Sequence, residues 1–101
     1  MPAVIEIKGN LAKISLSGKL DFSTQKAVYM TIDEALGSNV VREIVVDLAD
    51  VTFMDSSIIQ ALLSLQERAN AAAKMVTLVN CSDTLREVFA IGGFDTVFTI
   101  R

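Results

Sequence analysis

Two kinds of hydrophobic pattern alternate along this chain of 101 residues, and their order restricts the folds open to it. In segments such as 11–17, apolar and polar side chains alternate one by one, as in a strand with one buried face. In segments such as 23–36, apolar side chains recur every three or four residues, as on one face of a helix. The order of these segments, ββαβαβαβ, predicts one α/β domain over 1–101, with a mixed β-sheet of about four to five strands flanked by helices.

Turn and cap residues predict where these elements begin and end. The predicted strands cover 4–8, 11–17, 43–48, 75–79 and 97–100, and the helices cover 23–36, 55–70 and a short segment from Ser82 or Asp83 to Gly92. Gly9-Asn10 is typical of a tight hairpin, and Gly37 is expected to end the first helix in the left-handed conformation. The apolar run Ile44-Val45-Val46 predicts a central strand covered on both faces. Residues 49–54 are expected to form a loop.

Composition argues against several classes of function. The chain has no histidine and one cysteine, Cys81, so we expect neither a metal site nor a cysteine nucleophile, only a buried or half-buried thiol. No cofactor is expected either. A net charge of −3, without a cluster of Lys and Arg, argues against nucleic acid and anionic membranes as partners. No apolar stretch reaches membrane-spanning length and no signal sequence is found, which predicts a cytoplasmic protein.

The segment 51–57, Val-Thr-Phe-Met-Asp-Ser-Ser, is the best candidate for a functional site. Its last three residues, Asp55, Ser56 and Ser57, open the second predicted helix, and binding sites in open α/β sheets form where strands end and helices begin. Plain N-capping also explains such residues, although one of the three is enough for a cap. A hydrolase is disfavoured, because a histidine base, a G-x-S-x-G turn and a Ser-x-x-Lys motif are all missing. Phosphorylation of Asp55, as in receiver domains, is disfavoured because the acidic pair of those domains is missing. Dinucleotide binding is disfavoured because no Gly-rich turn follows the first strand.

Three segments together resemble one protein family. The run Phe53-Met54-Asp55-Ser56-Ser57, followed by an apolar helix, is similar to the F-M-D-S-S-G-L-G signature of the bacterial anti-sigma factor antagonists, the STAS domain family. Gly18-Lys19-Leu20-Asp21 is similar to the family's G-x-L-D before its first helix. Residues 85–89, with Gly93-Phe94, are similar to the family's final helix and its glycine. The likeness covers nearly the whole chain in the right order and implies a STAS-like fold.

The resemblance implies a partner-switching protein that is not an enzyme. Family antagonists bind an anti-sigma factor that is a serine kinase of the histidine-kinase-like ATPase fold. The kinase phosphorylates the first serine after the aspartate, here Ser56, and the complex dissociates until a serine phosphatase reverses the step. By the same resemblance, the partner-binding residues are Asp21, Ser23, Thr24, Met54, Asp55, Ser56, Ser57 and Ile58.

Other functions stay open at this stage. A STAS scaffold that binds partners without a phosphorylation cycle is the main alternative. A transporter-associated STAS domain is disfavoured because no membrane segment accompanies it, and a small esterase or nucleotide hydrolase is disfavoured because no base is found.

Ile58 is the main departure from the family pattern, which has a glycine at this position. Its spacing to Leu62 and Leu65 predicts a place on the buried stripe of the second helix. The alternative is an apolar rim beside Ser56 that affects which kinase is accepted.

Overall fold

Five strands form one sheet in the same order in which they occur along the chain. The computed structural model describes residues 1–101. The strands are β1 (Ala3–Lys8), β2 (Leu11–Leu20), β3 (Glu43–Met54), β4 (Met75–Val79) and β5 (Thr99–Ile100), and the helices are α1 (Gln25–Gly37), α2 (Ser56–Ala71) and α3 (Asp83–Ile91). Strands β1 and β2 are antiparallel, and every other neighbouring pair is parallel. The predicted α/β fold with a mixed sheet is confirmed.

The hairpin between β1 and β2 forms as its sequence predicts. Lys8 pairs with Leu11 across a two-residue turn, and Gly9 has a φ of +58°. Of the two turn residues only Gly9 has a positive φ, which glycine adopts without steric cost.

One face of the sheet is buried together with α1 and α2. The inward side chains of β2 and β3 form a continuous core with Val28 and Ile32 of α1 and with Leu62 and Leu65 of α2. Along β3 burial alternates, and Val45 stays half-buried between two fully buried neighbours. The prediction that this strand is covered on both faces is therefore wrong, because a helix layer is packed against only one face at Val45.

Strands β2 and β3 both continue beyond their predicted ends. The segment 49–54, expected to be a loop, is the second half of β3 and pairs with the extension of β2. Their register shifts between Ser15 and Ser17 and again between Gly18 and Lys19, where Gly18 has a φ of +79°. Such irregularities break the one-by-one alternation of side chains, which is why the sequence pattern did not reveal these strand residues.

Helix α1 ends differently from its prediction. Gly37 remains helical and Ser38 is extended, so the expected left-handed glycine is wrong. The buried ammonium group of Lys74 donates hydrogen bonds to the carbonyl oxygens of Ser38 at 2.7 Å and of Val41 at 2.5 Å. These bonds stabilise the extended exit of the chain, which therefore requires no left-handed turn.

The C-terminal part closes the domain with aromatic packing. The rings of Phe89 and Phe98 are buried with their centroids 5.6 Å apart. The predicted last strand is shortened to Thr99–Ile100. Gly92 at the end of α3 leaves room for a third ring, since a Cβ atom there would lie 2.5 Å from Cε2 of Phe94. Cys81 is buried, as expected from the sequence.

Candidate functional site

Two of the three segments that carry the family resemblance meet at one edge of the sheet. In the parallel pairing of β2 and β3, Leu20 lies opposite Met54, and the N–H of Asp55 donates to the carbonyl oxygen of Leu20 at 3.0 Å. Asp21 and Asp55 are therefore the first residues after the carboxyl ends of two adjacent strands. Parallel pairing places both aspartates at the same edge, although they lie far apart in sequence.

Asp55 is the N-cap of α2. Its Oδ1 atom accepts hydrogen bonds from the N–H and the hydroxyl of Ser57, at 2.9 and 2.6 Å, and from the N–H of Ile58 at 3.2 Å. The Ser57 hydroxyl, followed by the N–H groups of Ile58, Ser57 and Phe22, holds the pKa of the Asp55 carboxyl below its ordinary value, partly offset by desolvation. Asp55 therefore has the capping role that its residue type predicts, and it carries a negative charge at neutral pH.

Asp21 organises a second turn of the same kind. Its Oδ1 atom accepts from the N–H and the hydroxyl of Ser23, and its own N–H donates to Oγ1 of Thr24 at 3.1 Å. These reciprocal bonds form a capping box on the short 3-10 turn Phe22–Thr24, which leads into α1. Asp21 therefore caps the 3-10 turn that precedes α1, and Ser23 lies inside that turn.

The two turns contact each other. The side-chain amide of Gln25 donates to the carbonyl oxygen of Ser57 at 3.4 Å, and the N–H of Phe22 helps to lower the pKa of Asp55. We call the two turns together, residues 21–25 and 53–58, the paired-turn surface. Its two aspartates provide negative charge beside the positive end of the α2 dipole.

The two serines at the start of α2 differ in availability. The Ser57 hydroxyl is half-buried and bonded to Asp55, whereas Ser56 is exposed as the first residue of α2. The Ser56 hydroxyl takes no part in the hydrogen bonds of the turn. The hydroxyl of Ser56 is therefore accessible from solvent, whereas the hydroxyl of Ser57 is already hydrogen-bonded to Asp55.

The predicted partner-binding residues separate into surface and core. Asp21, Ser23, Thr24, Asp55, Ser56 and Ser57 are exposed or half-buried on the paired-turn surface. Met54 and Ile58 are only 6% and 0% exposed, so neither side chain is available for direct contact with a partner in this conformation. For Ile58 the core interpretation is confirmed, because its side chain lies in the continuous core.

Two phenylalanines extend the surface. Phe22 is 76% exposed and Phe53 is 48% exposed, and the ammonium group of Lys19 lies 5.8 Å from the centre of the Phe53 ring. Phe53 belongs to the run that carries the family resemblance, whereas the sequence analysis did not single out Phe22. The available signal was its position outside the apolar stripe of the first helix, where a large aromatic side chain has no core to enter.

Comparison with known proteins identifies the family. Residues 3–100 match the family model described as Mlab, STAS domain. The chain belongs to the STAS domain family. A STAS-domain protein of Pseudomonas aeruginosa is 30% identical over 92 residues, which make up 91% of this chain and 89% of that protein. An anti-sigma F factor antagonist of Lysinibacillus sphaericus is 32% identical over 80 residues, 79% of this chain and 68% of that one.

The STAS fold is also found at the level of tertiary structure. The anti-sigma factor antagonist SpoIIAA in its unphosphorylated form is 26% identical and superposes with a TM-score of 0.78, covering 98% of this STAS domain and 86% of SpoIIAA. Its phosphorylated form, described as a Bacillus cell fate determinant, gives a TM-score of 0.77 at the same identity, covering 98% and 90% of the two chains. The predicted resemblance to the antagonist family is thus confirmed. No helix of this STAS domain has the length and apolar character needed to cross a bilayer.

Proposed function

We propose that this STAS domain is an anti-sigma factor antagonist that binds its partner through the paired-turn surface and is released by phosphorylation of Ser56. The partner is an anti-sigma factor with serine kinase activity and the histidine-kinase-like ATPase fold, and a serine phosphatase restores binding. The observation that carries the proposal is the free, exposed hydroxyl of Ser56 next to the occupied hydroxyl of Ser57. Support comes from a relative named as an anti-sigma F factor antagonist and from SpoIIAA, which is known in phosphorylated and unphosphorylated forms.

The local electrostatics fit a phosphorylation switch. A phosphate on Ser56 adds about −1.5 to −2 charges at neutral pH. Within the domain it lies at the N-terminus of the 16-residue helix α2, where the helix dipole favours an anion. We therefore expect the domain to remain folded after phosphorylation.

The same phosphate opposes binding. Asp21 and Asp55 already give the paired-turn surface negative charge, and a partner that covers this surface must accommodate both carboxylates. A further dianion would have to be desolvated there beside two like charges. A loss of about 3 kcal/mol in binding free energy would weaken the affinity more than a hundredfold.

The cognate kinase provides the direct test. Purified protein is incubated with the kinase and ATP, and the modified peptide is identified by mass spectrometry. We expect phosphate on Ser56 in the wild type and in Ser57→Ala, and none in Ser56→Ala. Phosphate on Ser57 or Ser23 in the wild type would refute the site.

Calorimetry with the kinase tests the switch itself. Ser56→Ala is expected to bind about as tightly as the unmodified protein and to stay bound when ATP is added. Ser56→Asp is expected to bind more weakly, although a carboxylate supplies only part of the charge of a phosphate. Equal affinity of both variants would instead support the scaffold alternative, in which exposed Phe22 and Phe53 mediate binding without a phosphorylation cycle.

A further inference from the structure

Strand β1 has an open edge at the side of the sheet away from β2. The N–H of Ser17 donates to the carbonyl oxygen of Pro2 at 2.9 Å, so Pro2 and Ser17 form a hydrogen-bonded pair. Hydrogen-bonded and non-hydrogen-bonded pairs alternate in an antiparallel ladder. The N–H and C=O groups of Ala3, Ile5 and Ile7 therefore point away from β2, and no other strand pairs with them.

The surroundings of this edge are apolar. A groove of about 310 Å³ lies between β1 and α1, and most of the side chains that line it are hydrophobic. Met30 of α1 and Val4 of β1, both at the groove, are 63% and 51% exposed. Ile5 and Ile7 point to the helix-covered face of the sheet, yet Ile5 is only half-buried and Ile7 is exposed. An unpaired strand edge beside such a surface is a site for the addition of another strand.

We infer that β1 pairs antiparallel with β1 of a second copy of this chain, about a two-fold axis at Ile5. In this register Ala3 lies opposite Ile7 of the second copy, and Ile5 lies opposite Ile5 of the second copy. All three outward-pointing residues of each strand then form hydrogen-bonded pairs. Their side chains lie on one face and extend the apolar surface beside Met30 across the interface.

The charges of β1 favour this register over its neighbours. Centred on Ile5, Glu6 lies opposite Val4 of the second copy, and Lys8 lies opposite Pro2, beyond the last paired residue. A shift that centres the axis on Glu6 would place the two Glu6 side chains directly opposite each other, which is destabilising. A shift that centres it on Val4 would place Ile7 opposite Met1, which lies outside β1.

The occupant is a second copy because β1 is complementary to itself in side chains and in hydrogen-bonding groups at the same register. A two-fold contact of this kind is the commonest arrangement of soluble homodimers. None of its residues belongs to the paired-turn surface, so the dimer and the Ser56 switch can be tested separately.

Sedimentation equilibrium of the full chain, from micromolar to millimolar concentration, tests the inference. We expect a monomer–dimer equilibrium in the wild type. Ile7→Pro removes one outward N–H from each strand, and is expected to raise the dimer dissociation constant about tenfold or more. Ile7→Ala removes the side chain but keeps the N–H, and it is expected to weaken the dimer less than Ile7→Pro does.

Hydrogen exchange of the wild type gives an independent measurement that needs no variant. The amides of Ala3, Ile5 and Ile7 are expected to exchange rapidly in dilute solution and to become protected as the dimer forms. A chain that is monomeric throughout the range overturns the inference. So does a dimer in which these three amides remain unprotected, since its interface would lie elsewhere.

Discussion

Replacement of Ile58 by glycine, the residue that the family pattern has at this position, tests how the start of α2 is stabilised. Ile58 is 0% exposed and lies in the continuous core, and its N–H donates to Asp55. Removing a buried Ile side chain down to alanine costs about 2–5 kcal/mol, through lost burial and the cavity that remains. Glycine in place of alanine costs about a further 1 kcal/mol in a helix. We therefore expect Ile58→Gly to lose about 3–6 kcal/mol of unfolding free energy.

Urea denaturation followed by circular dichroism measures this loss. Ile58→Val is the matched control, because it removes one methylene group and is expected to cost about 0.5–1.5 kcal/mol. Exposed Gln60 of the same helix provides a second control, since Gln60→Gly carries a glycine cost without a cavity. A loss below about 1 kcal/mol for Ile58→Gly, with an unchanged denaturant slope, would refute the burial argument.

Three further predictions follow from the hydrogen bonds. The pKa of Asp55 lies below its ordinary value of 3.8, so its carboxylate stabilises the fold above that pH and loses this effect as the pH falls through the lowered pKa. Denaturation of Asp55→Asn between neutral pH and about pH 3 should therefore show a smaller acid-induced loss than the wild type. Asp21→Asn should keep its melting temperature, since Asn is also a good cap, but change partner affinity in calorimetry; unchanged affinity would remove Asp21 from the interface. Lys74→Met should lose about 1–2 kcal/mol in urea denaturation, because the carbonyl oxygens of Ser38 and Val41 lose their donor; undiminished stability would contradict that role.

The candidate site was recognised from sequence because capping is a local interaction. Asp55 bonds to residues two and three positions later, and Asp21 does the same in its own turn. Short polar residues before a helical pattern can therefore be identified as helix caps from the sequence alone. The residue pattern did not indicate that the hydroxyl of Ser57, and not that of Ser56, bonds to Asp55, because this depends on which hydroxyl faces the carboxylate.

Other differences between prediction and structure have a long-range cause. Residues 49–54 form a strand because β2 lies beside them, and two register shifts conceal the pattern that would have revealed it. Gly37 is helical, and the carbonyl oxygens of Ser38 and Val41 after it accept hydrogen bonds from Lys74, which lies far along the chain. Neither the pairing with β2 nor the hydrogen bonds of Lys74 can be inferred from the local pattern, since strand pairing and buried side-chain bonds join distant segments.

The sequence by itself determined the order of strands and helices, the Gly9-Asn10 hairpin, the core position of Ile58 and the family. These depend on hydrophobic period and on residues within a few positions of one another. Tertiary structure alone decided that the turns of Asp21 and Asp55 form one surface and that Met54 is buried. The physical reason is that parallel pairing of β2 with β3 brings residues more than thirty positions apart to the same edge of the sheet, and burial is set by what packs against a side chain after that pairing.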